Sequence, residues 1–306
     1  MAKKHVVAAE NRIPLMKSEK VFYFVNGAFL TFFLLLTLYP LLTLISQAIS
    51  DPVAVYTGRV TWYPIGFSLE GFKINLTNAN ILLGFKNTAI YTFCGTALTV
   101  CTTLTTAFAL SRRELLGRST ITLFFAFTMW FSGGLIPTYL LIRDLGLYNT
   151  RLAIIIPGMV NVWYVIVCRT NINSTIPEEM FESASIDGCG YWRFFTQFVV
   201  PLCKPVVAVV MLWVAIGHWN SFFNAMLYLT KKELKPLQLF LRDYLITNAN
   251  AADLIGESVE SASKELGELE LVKNSLILMS VMPLWILYPF IQKFFVKGVM
   301  VGSVKG

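Results

Sequence analysis

Two histidines, five cysteines and a charged fraction of 14% limit the chemistry open to this 306-residue sequence. His5 lies near the start and His218 inside an apolar run, so a multi-histidine metal centre cannot be assembled. A Ser-His-Asp arrangement would have to use His218, which has no evident Asp in the neighbouring runs. No segment carries the Gly-x-x-x-x-Gly-Lys-Ser/Thr phosphate loop, since Gly298 and Gly302 bracket only a short tail ending in Lys305 and Gly306. Nucleotide hydrolysis is therefore not expected of this chain. The centres of the long apolar runs lack Asp, Glu, Lys and Arg, and no internal duplication is visible. Both absences count against an ion-coupled secondary carrier. Cys94, Cys101, Cys168, Cys189 and Cys203 sit in apolar runs or basic loops, which predicts free thiols; Cys94 and Cys101 share a helical face suited to packing.

Apolar sequence is abundant: 56% of residues are hydrophobic and the mean hydropathy is +0.62. These values define an all-α integral membrane protein. A bilayer core of roughly 30 Å needs about 20 apolar residues per helix, and six stretches qualify: Val21–Ser50, Asn87–Leu110, Ser119–Ile142, Leu152–Cys168, a run from Pro205 to Leu229, and Asn274–Gln292. The first is too long for a signal-peptide core and reads as a retained anchor. Gly133, Gly134 and Pro137 are placed to break the third. The implied organisation is an N-terminal segment (1–20), a first span with its loop (21–84), a five-span core (85–295) and a tail (296–306).

Lys and Arg favour the cytoplasmic side of short loops. With six spans the termini share a side, and that side carries an excess of about seven positive charges, including Arg112, Arg113, Arg118, Arg169, Arg193 and Lys204. Both termini and the loop around Glu182 are thereby expected in the cytoplasm. The basic excess then reports topology, and nucleic acid is not required as a partner.

That loop, Glu182–Pro205, is polar and helix-capable between two apolar runs. Thr175 with Glu178 fits a capping box, Pro177 suits a first helical turn, and Gly188 can take the left-handed conformation that ends a helix. The spacing predicts a short helix with Phe181, Ala184 and Met180 toward one face and Glu178, Glu182 and Ser185 toward another.

Glu182-Ser183-Ala184, Asp187-Gly188 and the distal Val200-Pro201 together resemble the EAA loop of ABC importer permeases, with Ser183 in place of the usual first Ala. The similarity extends over about Phe85 to Gly306 and includes the ending Gly298–Gly306, which is similar to that of maltose-transporter-type carbohydrate permeases. Gly133-Gly134-Leu-Ile-Pro137 and Ile186-Asp187-Gly188-Cys189 resemble a Gram-positive branch associated with oligosaccharides. The resemblance implies a type I importer permease fold in a bacterial plasma membrane. It implies that loop 175–205 forms a coupling helix through Glu182, Ser183, Ala184, Asp187, Gly188 and Pro201, docking on an ATPase. Implied partners are a second homologous permease, two ATPase subunits that carry ATP and Mg, and an extracytoplasmic substrate-binding lipoprotein. No cofactor is implied for this chain. Gly302, Lys305 and Gly306 are candidates for ATPase contact, the alternative being lysines meeting lipid headgroups.

Carbohydrate sites combine aromatic faces with amides and hydroxyls. Asn161, Trp163 and Tyr164 form one such group; Trp213, His218, Trp219, Asn220 and Asn224 form another. The competing reading is interfacial aromatics and helix-joining amides. Lys231–Lys273 is a polar, then acidic, external loop whose Leu237, Phe240, Leu241 and Tyr244 predict an amphipathic helix. Its Ala249–Ser263 stretch is either a probe of the binding protein or a connector. The first external loop, Asp51–Lys86, with Trp62, Tyr63, Pro64 and Phe67, offers a second docking surface. The nearest alternative retains the ABC mechanism and changes the cargo to a peptide or another small polar solute.

Overall fold

The computed structural model describes residues 16–251 and 259–299, and among these no strand occurs. The helices, in order, are α1 (Lys17–Ala48), α2 (Pro52–Tyr56), α3 (Glu70–Thr77), α4 (Ala79–Ser111), α5 (Arg118–Trp130), α6 (Leu135–Asp144), α7 (Leu152–Ile155), α8 (Val162–Thr175), α9 (Glu178–Ile186), α10 (Tyr191–Phe194), α11 (Val200–Leu202), α12 (Lys204–Trp219), α13 (Phe223–Tyr228), α14 (Leu237–Ala251) and α15 (Val259–Val299). α4 is the axle of the bundle. Its 33 residues rise about 50 Å, and it packs on α12, α8 and α14 along its length. One core joins Val100, Leu104 and Phe108 of α4 to Val165 and Ile172 of α8, Phe181 of α9 and Val210 of α12. A second gathers Tyr91, Ile142, Ile154, Ala225 and Tyr228.

Among the described residues, three helical stretches are long and apolar enough to cross a membrane unbroken, Lys17–Ala48, Ala79–Ser111 and Leu266–Pro289, and two bent helix pairs raise the number to five. The protein is thus a multi-pass membrane protein. The predicted third span does break where Gly133 and Gly134 stand: α5 and α6 meet at 114°. Gly134 takes φ +87°, which only glycine adopts freely, and Pro137 falls in the first turn of α6, where its missing N–H is not needed.

The helix boundaries depart from the six apolar runs at three further places. Leu152–Cys168 is divided, with α7 ending at Ile155 and α8 starting at Val162; the 14 residues of α8 rise only about 21 Å. The run after Pro205 stops at Trp219 and restarts at Phe223. The last span is the second half of a 41-residue helix that begins at Val259, inside the predicted external loop. The amphipathic helix expected from Leu237 is present as α14, with Leu237 buried against Ile81 and Leu276.

At the α3 end of the bundle, Asn75 Nδ2 donates to Val272 O at 2.9 Å and Ser275 Oγ at 2.8 Å, tying α3 to α15. Trp62, Tyr63 and Phe67, in the loop before α3, are exposed. α1 presents apolar side chains outward over nearly all its length, as a lipid-facing helix must.

Candidate functional site

Two regions along α4 hold the residues singled out from the sequence. The first is the α9 joint. Ile176 precedes a proline, which drives it into extended backbone (φ −119°, ψ 102°) and stops α8 at Thr175. Pro177 is the N-cap of α9 and no side chain caps the helix. The expected capping box is therefore absent: Thr175 belongs to the preceding helix, and Glu178 pairs instead with Arg113, Nε to Oε2 at 2.8 Å. The C-terminal end follows the sequence. Gly188 sits at φ +80°, its N–H donates to Ser185 O at 3.0 Å, and Cys189 N–H donates to Ala184 O at 2.9 Å. This is a Schellman closure.

α9 buries one face and frees the other. Phe181 is buried, with Met180 and Ala184 half-buried beside it. Glu179, Glu182, Ser183, Ser185 and Asp187 are exposed, and Ile186 is 88% exposed. The Phe181 ring meets Phe194 edge-on at 5.0 Å and stacks on Tyr191 at 5.1 Å. Arg112, just past the end of α4, lies between two rings, with its guanidinium carbon 5.3 Å from the Phe108 centroid and 5.2 Å from that of Phe181. Burial lowers the Arg112 pKa from its usual value while Glu114 and Glu178 oppose that shift; a guanidinium remains charged regardless. Two cation–π contacts of this kind contribute about 0.5–2 kcal/mol each. The sequence suggested Arg112 only as a topology signal, and Phe108 not at all.

Pro201 stands after a widened turn. It has no N–H to continue the ladder, and the preceding Phe195–Val199 turn is π-helical, with Val200 N–H donating to Phe195 O. Pro205 adds a second interruption, and the chain bends by 82° between Leu202 and Lys204.

The second region is a cavity of 190 Å³ lined by Thr99 of α4, Gly158 and Asn161 ahead of α8, Tyr164, His218, Ser221 and Asn224. Both non-helical interruptions, 156–161 and 220–222, contribute to its wall. Non-helical backbone at membrane depth is tolerated where it lines a cavity. Thr99 Oγ1 donates to Gly158 O at 3.4 Å, and Thr102 Oγ1 donates to Met159 O. Asn161 Oδ1 accepts from Tyr164 N–H at 3.4 Å, an N-cap. His218 packs against Gly95, where an added Cβ would lie 2.5 Å from the imidazole Cε1 and Nε2. Buried Thr92 and Thr96 hydroxyls on α4 have no partner among the described residues. Gly95 and Thr99 were not anticipated, because a small residue facing a side chain from a distant helix leaves no local pattern.

Asn161, Tyr164, His218 and Asn224 thus come together from two separate predicted groups. The other four stand apart. Trp163 is 55% exposed. Trp213 stacks on Tyr164 at 6.1 Å outside the cavity wall. Asn220 is an exposed C-cap. Trp219 is buried, and its Nε1 donates to Ser280 O at 2.9 Å, joining α12 to α15. Gly302, Lys305 and Gly306 lie outside the described residues, as does much of Ala249–Ser263. All five cysteines are free.

A multi-pass bundle with a polar cavity between broken helices, and a half-exposed helix stacked on the end of the core helix α4, defines a membrane transport permease. The chain belongs to the family of binding-protein-dependent transport system inner membrane components, which it matches over residues 100–300. It is 32% identical over 288 residues to the polygalacturonan/rhamnogalacturonan transport system permease protein YtcP of Bacillus subtilis strain 168, covering 94% of this chain and 99% of that protein. Protein LplC of the same organism is 33% identical over 290 residues, covering 95% and 97%. Among solved structures, one of a bacterial ABC transporter involved in the import of the acidic polysaccharide alginate has a chain at TM-score 0.83 and 32% identity, covering 92% of this chain and 99% of that one. The fold is that of an ABC importer permease.

Proposed function

We propose that this chain is the permease subunit of an ATP-driven carbohydrate importer, with an oligosaccharide as cargo, and that it forms half of the translocation pathway. The observation that carries the coupling mechanism is the continuity of α4: Thr99 lines the cavity while Phe108 and Arg112, about 14 and 20 Å further along the helix direction, grip α9. A push on the exposed face of α9 has a stiff route to the cavity wall. The carbohydrate assignment draws on the cavity's mix of Tyr164, amides and hydroxyls and on relatives named for polygalacturonan/rhamnogalacturonan and alginate.

In this reading Glu182, Ser183, Ala184, Asp187 and Gly188 present α9 to a separate ATPase that holds ATP and Mg, and Pro201 sets the return of the loop into the membrane. Gly302, Lys305 and Gly306 reach the same ATPase. A second homologous permease supplies the other half of the path, two ATPases power it, and a substrate-binding lipoprotein delivers cargo. The chain has no covalent chemistry of its own. Both termini and α9 face the cytoplasm of a bacterial cell, with α2, α3 and α14 on the opposite face. Co-purification of the tagged chain, followed by ATPase assay in lipid, tests this. Recovery of a second permease and an ATPase, with hydrolysis stimulated by a sugar-loaded binding protein, supports it. Stimulation only by a peptide-loaded protein would change the cargo; solute movement along an ion gradient without an ATPase would overturn the mechanism.

A further inference from the structure

A groove of 730 Å³ runs between the first half of α5 and the middle of α8, separate from the His218 cavity and within the size range of small-molecule sites. Arg118 and Arg169 line it, with no Asp or Glu in the wall. Among the described residues neither arginine has a carboxylate within salt-bridge distance, whereas Arg113 is paired with Glu178 and Arg143 with Asp144. Arg169 Nη1 donates to Thr122 Oγ1 at 3.2 Å, and Thr122 Oγ1 donates to the Arg118 carbonyl at 2.8 Å. One threonine therefore links the two cationic residues. Arg169 Nε is buried and finds no acceptor. A buried cationic donor without a partner, beside a second uncompensated cation, is costly, and an anion between them relieves both costs. The start of α5 has no side-chain cap, and Gly117, Arg118 and Ser119 all line the groove, although the Arg118 N–H is taken by Leu115 O at 3.2 Å.

The rest of the wall is apolar. Leu123 and Ala126 continue it along α5, where Leu123 is 71% and Phe124 67% exposed. A soluble anion has no use for such a track, and a neutral lipid has no use for two unpaired arginines. We propose that the groove binds an anionic phospholipid, with its phosphate between Arg118 and Arg169 and an acyl chain along Leu123 and Ala126. Basic pockets between spanning helices suit such headgroups. The site goes beyond transport itself and depends on neither the cargo nor the α9 coupling.

The test uses the full-length chain, delipidated in detergent and titrated with dioleoyl phosphatidylglycerol, dioleoyl phosphatidylcholine or inorganic phosphate, and read by native mass spectrometry and melting temperature. Wild type is expected to prefer phosphatidylglycerol by about tenfold. Arg118→Gln/Arg169→Gln should lose that preference, and Arg143→Gln should keep it. Equal binding of the two lipids to wild type, or a preference surviving in the double variant, overturns the site. Stabilisation by inorganic phosphate equal to that by phosphatidylglycerol also overturns it, in favour of a soluble anion. Should the double variant not fold, Leu123→Trp fills the acyl track with the charges intact; it is expected to weaken phosphatidylglycerol binding, and unchanged binding counts against the proposal. Exclusion of the lipid on assembly with partner subunits would assign the face to a partner chain and defeat it.

Discussion

The α9 joint and the His218 cavity share α4 yet are built in opposite ways. At the joint, Phe108 and Phe181 flank Arg112, Phe181 packs on Tyr191 and Phe194, and Glu178 is held by Arg113, beside an open groove of 440 Å³ lined by Phe108, Arg112 and Tyr191. At the cavity, two helices are interrupted, and on the preceding turns of α4, outside the wall, the hydroxyls of Thr92 and Thr96 lie buried without partners among the described residues. Close packing transmits displacement because it resists compression. Interrupted helices and unpaired polar groups leave a region that can rearrange around a polar solute. The difference suggests a division of labour, with a stiff input and an adaptable passage on one helix.

Breaking the stiff half should have the largest effect. Phe181→Ala removes the ring that contacts Arg112, Tyr191 and Phe194, and is expected to lower stability by about 3–5 kcal/mol, read as a drop in melting temperature. Cargo should then no longer stimulate ATP hydrolysis in the assembled transporter. Arg112→Gln is milder, at about 1–3 kcal/mol; stimulation should fall, and Arg112→Lys should restore part of it. If Arg112→Gln instead left stimulation intact, the joint would not be the route of transmission. Gly95→Ala probes the adaptable half. Its Cβ would overlap His218, and the imidazole must move, at about 1 kcal/mol if neighbours yield. Uptake should fall while ATPase association is unchanged. A loss of ATPase association with normal uptake would erase the distinction between the two regions.

The features legible in the sequence were those written locally. Gly188 closes α9 because a left-handed residue is needed at one position, and Gly133-Gly134 breaks a span for a similar reason. Thr175 misled: its spacing to Glu178 matches a cap, but Pro177 forces Ile176 extended, and the helix boundary falls between them. The interruption at 156–161 is marked by Pro157-Gly158, a pair that ends helices, but it stands within an apolar run, and hydropathy does not register broken hydrogen-bond ladders. The site residues assembled from distant helices were legible only as types. Asn161 and His218 match the chemistry of a sugar site and do share a cavity, while Trp219 matches the same chemistry and instead ties α12 to α15. Gly95 and Phe108 matter through what packs on them, which no single helix discloses.

The most direct test of the account places a photo-crosslinking amino acid at Ile186, on the outward face of α9, in the assembled transporter in lipid vesicles, with the same probe at Leu123 on α5 for comparison. An adduct with the ATPase subunit is expected from position 186, changing in yield on ATP binding, and none with the ATPase from position 123. Adducts from position 186 with lipid alone, at any nucleotide state, would contradict it.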